Sequence, residues 1–367
     1  MNELQLAQLQ WMVLTAAALV SLFFGALLHR THFCTMGAVS DMVVMENCDR
    51  LRQWALALAV AILGFGCMTY AGLINPLQSM FATKDLFWLS ALLGGLFFGW
   101  GMVWASGCGS KSLVRLGAGN LKSLFVLIIM GLVALSAMKG VLAVARVQYI
   151  DVVKIQMPQG LFLGEWVSHY FNVSMQVGSL WAAFLVSAVL LFWVLKDKSF
   201  LTFHHLSTGI LVGLVICAVW WISGVLGHGM EHPETLEEFF LATSSRKMEA
   251  LNFTGPVALT LDALAYFSDG TKRLTIGLVS VVGVCAGAWI SAWLQGSLRL
   301  EGFSNVADMR RHLVGASLMG LGAVLAMGCS IGQGLSGFST LSIASVIATV
   351  AILAGAYAAL QYDLQQA

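Results

Sequence analysis

Two cysteines of this chain stand in the same frame. Residues 99–108 read GWGMVWASGC, and residues 320–329 read GLGAVLAMGC. Gly99, Gly101, Val103, Ala105, Gly107 and Cys108 recur at a constant offset as Gly320, Gly322, Val324, Ala326, Gly328 and Cys329. Two matches with identical internal spacing indicate an internal duplication. Each frame is an apolar helix that ends at a thiol. Each then runs into a glycine-rich stretch, GSKSLVRLGAGN after the first and SIGQGLSG after the second. Such stretches are too rich in glycine for a helix interior, so they leave backbone amides free beside the thiol. A helix N-terminus offers unpaired N–H groups and about half a positive charge, which together hold an anion. Ser110, Ser112, Ser330 and Gln333 can add donors. A thiol is a weak, soft donor, suited to an anion whose exposed atom is sulfur or selenium. The chemistry on offer is capture of such an anion without bond making. Its candidate residues are Cys108, Gly109, Ser110 and Lys111 in one frame and Cys329, Ser330, Ile331, Gly332 and Gln333 in the other. Lys111 and Arg115 offer charge on the flank, or serve as ordinary anchors.

The elements that carry these frames belong in a membrane. The chain is 59% hydrophobic and only 10% charged, a composition no soluble domain of 367 residues can bury. Charge-free runs long enough to span a bilayer recur at Trp11–Leu28, Trp54–Ile74, Leu86–Ala105, Val177–Leu195, Ser207–Gly227, Leu274–Leu294 and Thr340–Leu360. Leu313–Gly328 is shorter, and Ser123–Ala145 carries one charge, Lys139. The expected fold is therefore an all-α membrane protein of about nine spans. Connections after the odd-numbered spans hold eleven Lys and Arg against seven on the opposite side. That excess places the N-terminus outside and the C-terminus in the cytoplasm. Glu3 and the absence of a positive N-terminal region argue for a first span and not a signal peptide. The two Gly-Cys frames fall on the third and eighth spans, which cross in opposite senses. The duplication is then an inverted repeat: residues 1–147 form the first half, 148–206 an outer loop and linker span, and 207–367 the second half. Inverted repeats with broken helices at mid-depth are typical of transporters.

The remaining residues are weaker signals. Cys67, Cys217 and Cys285 lie mid-span and read as small buried hydrophobes. Cys48 falls in a cytoplasmic loop and should stay reduced. Cys34 differs: it ends a span at a partly polar sequence, as Cys108 and Cys329 do. No CxxC occurs, so a dithiol redox centre has little support. His228 and His232 have helical spacing but lie in an outer loop, where a metal site is the minority reading. Lys139 should snorkel to the outer surface. The stretch 235–253 reads as an amphipathic helix on the outer face. A net charge of +1 and no basic tract give no reason to invoke nucleic acid.

Three stretches together carry a resemblance. FGALLHRTHFCTMG at Phe24–Gly37, with Asp41 after it, resembles the first motif of the YeeE/YedE family of sulfur-transport membrane proteins. Gly107-Cys108, with Arg115, Gly117 and Gly119 beyond, resembles the second, and GCSIGQGL at Gly328–Leu335 the third. The resemblance covers essentially the whole chain. It implies nine spans with short re-entrant helices in an inverted repeat, and uptake of thiosulfate or a closely related anion across a bacterial inner membrane. By similarity, Cys34, Cys108 and Cys329 would pass the ion along a central path by transient S–H contacts. Arg30 and Arg115 match motif arginines with structural or electrostatic roles. The partners implied are a thiosulfate-like anion, the lipid bilayer and a cytoplasmic sulfur-carrier or sulfurtransferase protein. No cofactor, metal or catalytic residue is implied. Lys111 departs from the pattern, because the internal repeat has Gly332 in its place. Transport of selenium or another sulfur species, or a thiol-based membrane oxidoreductase, are the alternatives.

Overall fold

The computed structural model describes residues 3–231, 236–268 and 274–366. The first half runs α1 (Glu3–Thr31), the short α2 (Thr35–Val44), α3 (Asp49–Tyr70), α4 (Trp88–Trp104), the short α5 (Gly109–Gly117) and α6 (Leu121–Lys139). A connecting region holds α7 (Val141–Ala145), α8 (Leu163–Phe171) and α9 (Met175–Leu195). The second half has the same order of long and short pieces. It runs α10 (Phe203–Trp221), the short α11 (Thr254–Ala265), α12 (Ile276–Leu294), α13 (Val306–Leu325), a π-helical segment Gly332–Gly337 and α14 (Ile343–Gln366). Two antiparallel ribbons of two residues per strand close the loops. β1 (Asp85–Leu86) pairs with β2 (Ile155–Gln156), and β3 (His228–Gly229) with β4 (Phe239–Phe240).

The long helices are apolar on every face, as buried or lipid-facing helices must be. Several begin at a polar cap. The side chains of Asn120, Thr202, Thr275 and Asn305 accept from backbone amides three residues on, which satisfies one orphan donor each. Eight helical runs among the described residues are long and apolar enough to cross a membrane, and the chain is a multi-pass membrane protein. The run expected at Leu313–Gly328 lies mostly within α13, whose first two turns carry Asp308, Arg310 and Arg311. The run expected at Ser123–Ala145 stops early, because Gly140 closes α6 after Lys139.

Lys139 is half-exposed, and its Nζ pairs with Asp262 of α11 at 3.1 Å. Two loop and surface expectations need correction. No helix forms in the described residues 236–253, where β4 gives way to turns. Cys67 is exposed on α3, not buried. His228 pairs with Glu238 at 2.6 Å, while His232 lies outside the described residues.

Packing follows the glycine frames. α4 and α13 run antiparallel: Gly94 faces Gly322 and Ala326, and Gly101 faces Gly315 and Met319. A Cβ on Gly99 would sit 2.1 Å from the Ile352 carbonyl oxygen of α14. A Cβ on Gly320 would sit 2.5 Å from the Met130 carbonyl oxygen of α6. The two duplicated glycines therefore seat equivalent helices. The same reciprocity extends outward, with α1 on α12 and α3 on α10, and with α2 on α14 and α11 on α6. Overpacking at such contacts costs about 1–3 kcal/mol. Gly99→Ala and Gly320→Ala should each lower the melting temperature of the detergent-solubilised protein. Gly302→Ala, where nothing lies within 4 Å of the added carbon, should leave it unchanged.

Candidate functional site

Each Gly-Cys frame ends in the same backbone gesture. Ser106 and Met327, one residue before the glycine, both hold left-handed φ, 56° and 57°. Neither residue type favours that region, so the turn is imposed by its surroundings. It reverses the chain at the end of α4 and of α13 and delivers the cysteine to the start of the next short segment. Cys108 is the N-cap of α5, and Cys34 is the N-cap of α2. Cys329 precedes the π-helical segment and accepts a hydrogen bond from the Gly332 amide at 3.3 Å. Phe253 caps α11 at the position that Cys34 occupies in the first half.

The three thiols are buried, with exposures of 8% for Cys34 and 1% for Cys108 and Cys329. They converge. Cys108 neighbours Cys34 on one side, and Ser330 and Cys329 on the other. Its sulfur shares a hydrogen bond of 3.2 Å with the Ser110 hydroxyl. Separation along the chain hides the Cys34–Cys108 proximity from any search for CxxC.

Several buried polar groups on the same segments have no hydrogen-bond partner. The hydroxyl of Ser330, 1% exposed, has no aligned hydrogen bond. The hydroxyl of Thr35, next to Cys34, is also unpaired and 3% exposed. The indole N–H of Trp54 has none either; its ring edge rests against Gly334 of the π-helical segment. A buried donor left unpaired costs about 1–3 kcal/mol, and each of these is the kind of group an anion would satisfy. Thr35 and Trp54 went unnoticed in the sequence. Thr35 follows Cys34 directly, which was a usable signal; Trp54 begins a charge-free run and gave none.

The other sequence candidates spread around the cluster. Gly109 starts α5 against Met130 and Thr254. Lys111, partly exposed, stands where its charge reaches Cys34, His29 and His32. Its counterpart Gly332 has no such freedom, because a Cβ there would meet Asn252 Oδ1 at 2.8 Å. Ile331 is buried in the apolar core. The Gln333 Nε2 donates to the Ala326 carbonyl at 2.5 Å. Arg115 donates to the Ser106 carbonyl at 2.8 Å, which pins the left-handed turn. Arg30 is exposed at the end of α1. Among the described residues no group of three or more His, Cys, Asp or Glu could hold a metal ion.

Thiols, free donors and short-helix starts in one buried place match the sequence motifs of a known class. A family model described as sulphur transport matches residues 30–358. The chain belongs to this family. A curated relative, the thiosulfate transporter TsuA of Escherichia coli (strain K12), is 25% identical over 341 residues, covering 85% of this chain and 83% of that protein. The thiosulfate transporter TsuA of Spirochaeta thermophila is 24% identical over 341 residues, covering 92% and 95%. The family and both relatives are described as transporters, not as enzymes.

Burial makes one direct prediction. In the detergent-solubilised protein, N-ethylmaleimide should modify Cys48, which is partly exposed, much faster than Cys108 or Cys329. Peptide mass spectrometry over time reads this, and equal rates would contradict the enclosed cluster.

Proposed function

We propose that this protein takes up thiosulfate, or a closely related sulfur anion, across the bacterial inner membrane through the path that Cys34, Cys108 and Cys329 line. The observation that carries the reading is the gathering of three buried thiols, with the hydroxyls of Ser330 and Thr35 next to them. The printed names of the relatives supply the substrate. The anion's oxygens take hydroxyl, indole and amide donors, and its outer sulfur takes the thiols. Short-helix N-termini add positive field. The thiols act as donors only, so the ion arrives with its bonds unchanged. A small difference in affinity between successive thiols lets the ion move on, where one deep site would trap it.

The matching order of elements and the reciprocal packing support an inverted repeat of nine spans, with α13 counted among them. Lys and Arg distribution supports the N-terminus outside and the C-terminus in the cytoplasm. Cys34, beside Lys111, then sits at the inner end, where a cytoplasmic sulfur-carrier or sulfurtransferase protein would receive the ion. Lys111 holds the dianion at that exit. One observation favours a second reading, a thiol-based membrane oxidoreductase: Cys34 and Cys108 are neighbours.

Uptake of labelled thiosulfate by cells expressing the chain tests the function. Cys108→Ala or Cys329→Ala should cut uptake about tenfold or more, the scale of one lost hydrogen bond to a charged group. Cys67→Ala, Cys217→Ala and Cys285→Ala should be near neutral. Intact-mass spectrometry after turnover separates relay from redox, since a stoichiometric sulfur adduct or a Cys34–Cys108 disulfide would favour the oxidoreductase. Lys111→Gly should weaken apparent affinity without loss of insertion; unchanged uptake kinetics would make Lys111 an anchor only.

A further inference from the structure

At the starts of α4 and α14, beside the end of α13, the protein encloses a chamber of about 260 Å³. Thr83 and Asp85 also line a neighbouring wider basin of about 940 Å³, around which stand Lys84 and Lys247. The chamber is built, not incidental. Its outer wall is the segment after α6, fastened twice: by the β1–β2 ribbon, and by the Leu163 amide to the Leu341 carbonyl at 3.1 Å with the Ile343 amide to the Leu161 carbonyl at 2.9 Å. Its inner wall includes Gln333, four residues beyond Cys329.

The polar groups on its wall sort cleanly. The Ser90 hydroxyl donates to the Leu325 carbonyl at 2.9 Å, and the Thr83 hydroxyl to the Asp85 carbonyl at 3.0 Å. The Asp85 carboxylate holds Lys154 at 2.6 Å. These groups are committed. Two are not, and a third, Arg146, is held by an ion pair without an aligned hydrogen bond. Ser342, 0% exposed, has no partner for its hydroxyl. Gln333, 2% exposed, has none for Oε1. Arg146 lies 3.1 Å from Asp151, but its Nε–H is not aligned to donate there. A guanidinium presents five donors in a fork that fits an oxyanion, and the Ser342 hydroxyl adds one more. Gln333 offers an acceptor, which suits a water carried with the anion.

We propose that this chamber is a first binding site for a small tetrahedral oxyanion, held by Arg146 and Ser342 before it reaches Cys329. The proposal rests on the transport reading and deepens it. The two stages read different chemistry. Arg146 and Ser342 recognise charge and oxygen, and the thiols beyond Gln333 recognise sulfur. Asp151 stays solvated at the rim when Arg146 turns to the anion, since both side chains are partly exposed.

The test is labelled thiosulfate uptake against external concentration, with membrane levels of each variant quantified. Arg146→Gln and Ser342→Ala should raise KM at least about fivefold, the loss expected for a charge-assisted contact, with maximal rate kept. Arg146→Lys should recover part of the affinity. An unchanged KM in Arg146→Gln at normal membrane level overturns the site, as does a fall in maximal rate alone. Titration calorimetry on purified protein gives a second readout. Thiosulfate should bind Arg146→Gln more weakly than wild type, and equal binding overturns the site. Wild-type cells that accumulate nothing would count against transport itself, while calorimetry would still report on the chamber.

Discussion

A helix that stops inside an apolar interior strands its first amides and last carbonyls, at a cost of several kcal/mol for each group left unpaired. Everything particular to this fold answers that constraint. α2, α5, α11 and the π-helical segment all begin at buried residues: Cys34, Cys108, Phe253 and the region of Ile331 are each less than a tenth exposed. Long helices surround them, so the broken ends meet protein and one another instead of lipid. Four short pieces starting in one enclosed region give it a positive field with no buried Lys or Arg at its heart. The side chains at those starts then decide what the field can hold.

The glycine frames make the enclosure tight. Main chain lies on main chain where α4 meets α13 and α14, and where α13 meets α6. Without a hydrophobic drive between helices in lipid, close backbone approach supplies the attraction. Glycines on both sides of the thiol serve this packing: a Cβ on Gly117 of α5 would meet the Cys285 carbonyl of α12, and one on Gly334 would meet Trp54. The repeated left-handed turn at Ser106 and Met327 separates the two sets. Arg115 ties itself to that turn through the Ser106 carbonyl.

Much of this was legible in the sequence, because the duplicated frame fixed both the helix ends and the thiols that cap them. Apolar runs located the long helices, with larger misses at the start of α1, at Gly140, which ends α6, at the charged start of α13 and at the end of α14. The stretch 235–253 misled because its apolar residues fold into a ribbon and turns. Periodicity alone says nothing of a partner strand ten residues back. Thiol proximity was only half visible: each cysteine announced itself, but the meeting of Cys34 with Cys108 depends on how α2 and α5 are aimed. Trp54 was invisible, since an unpaired indole N–H is a property of its neighbours. Gln333 looked equivalent to the serines beside it, yet its amide is spent on the Ala326 carbonyl.

The seam of α4 and α13 has a mechanical corollary. Packed helices slide or rock by re-seating side chains in new grooves. Gly94, Gly101, Gly315 and Gly322 leave no such layer between these two, so a one-turn shift would push a neighbouring Cβ into backbone. α4 and α13 are therefore seated backbone on backbone and resist sliding past one another. The cost of displacing either helix is a cost in main-chain overlap, not in rotamers.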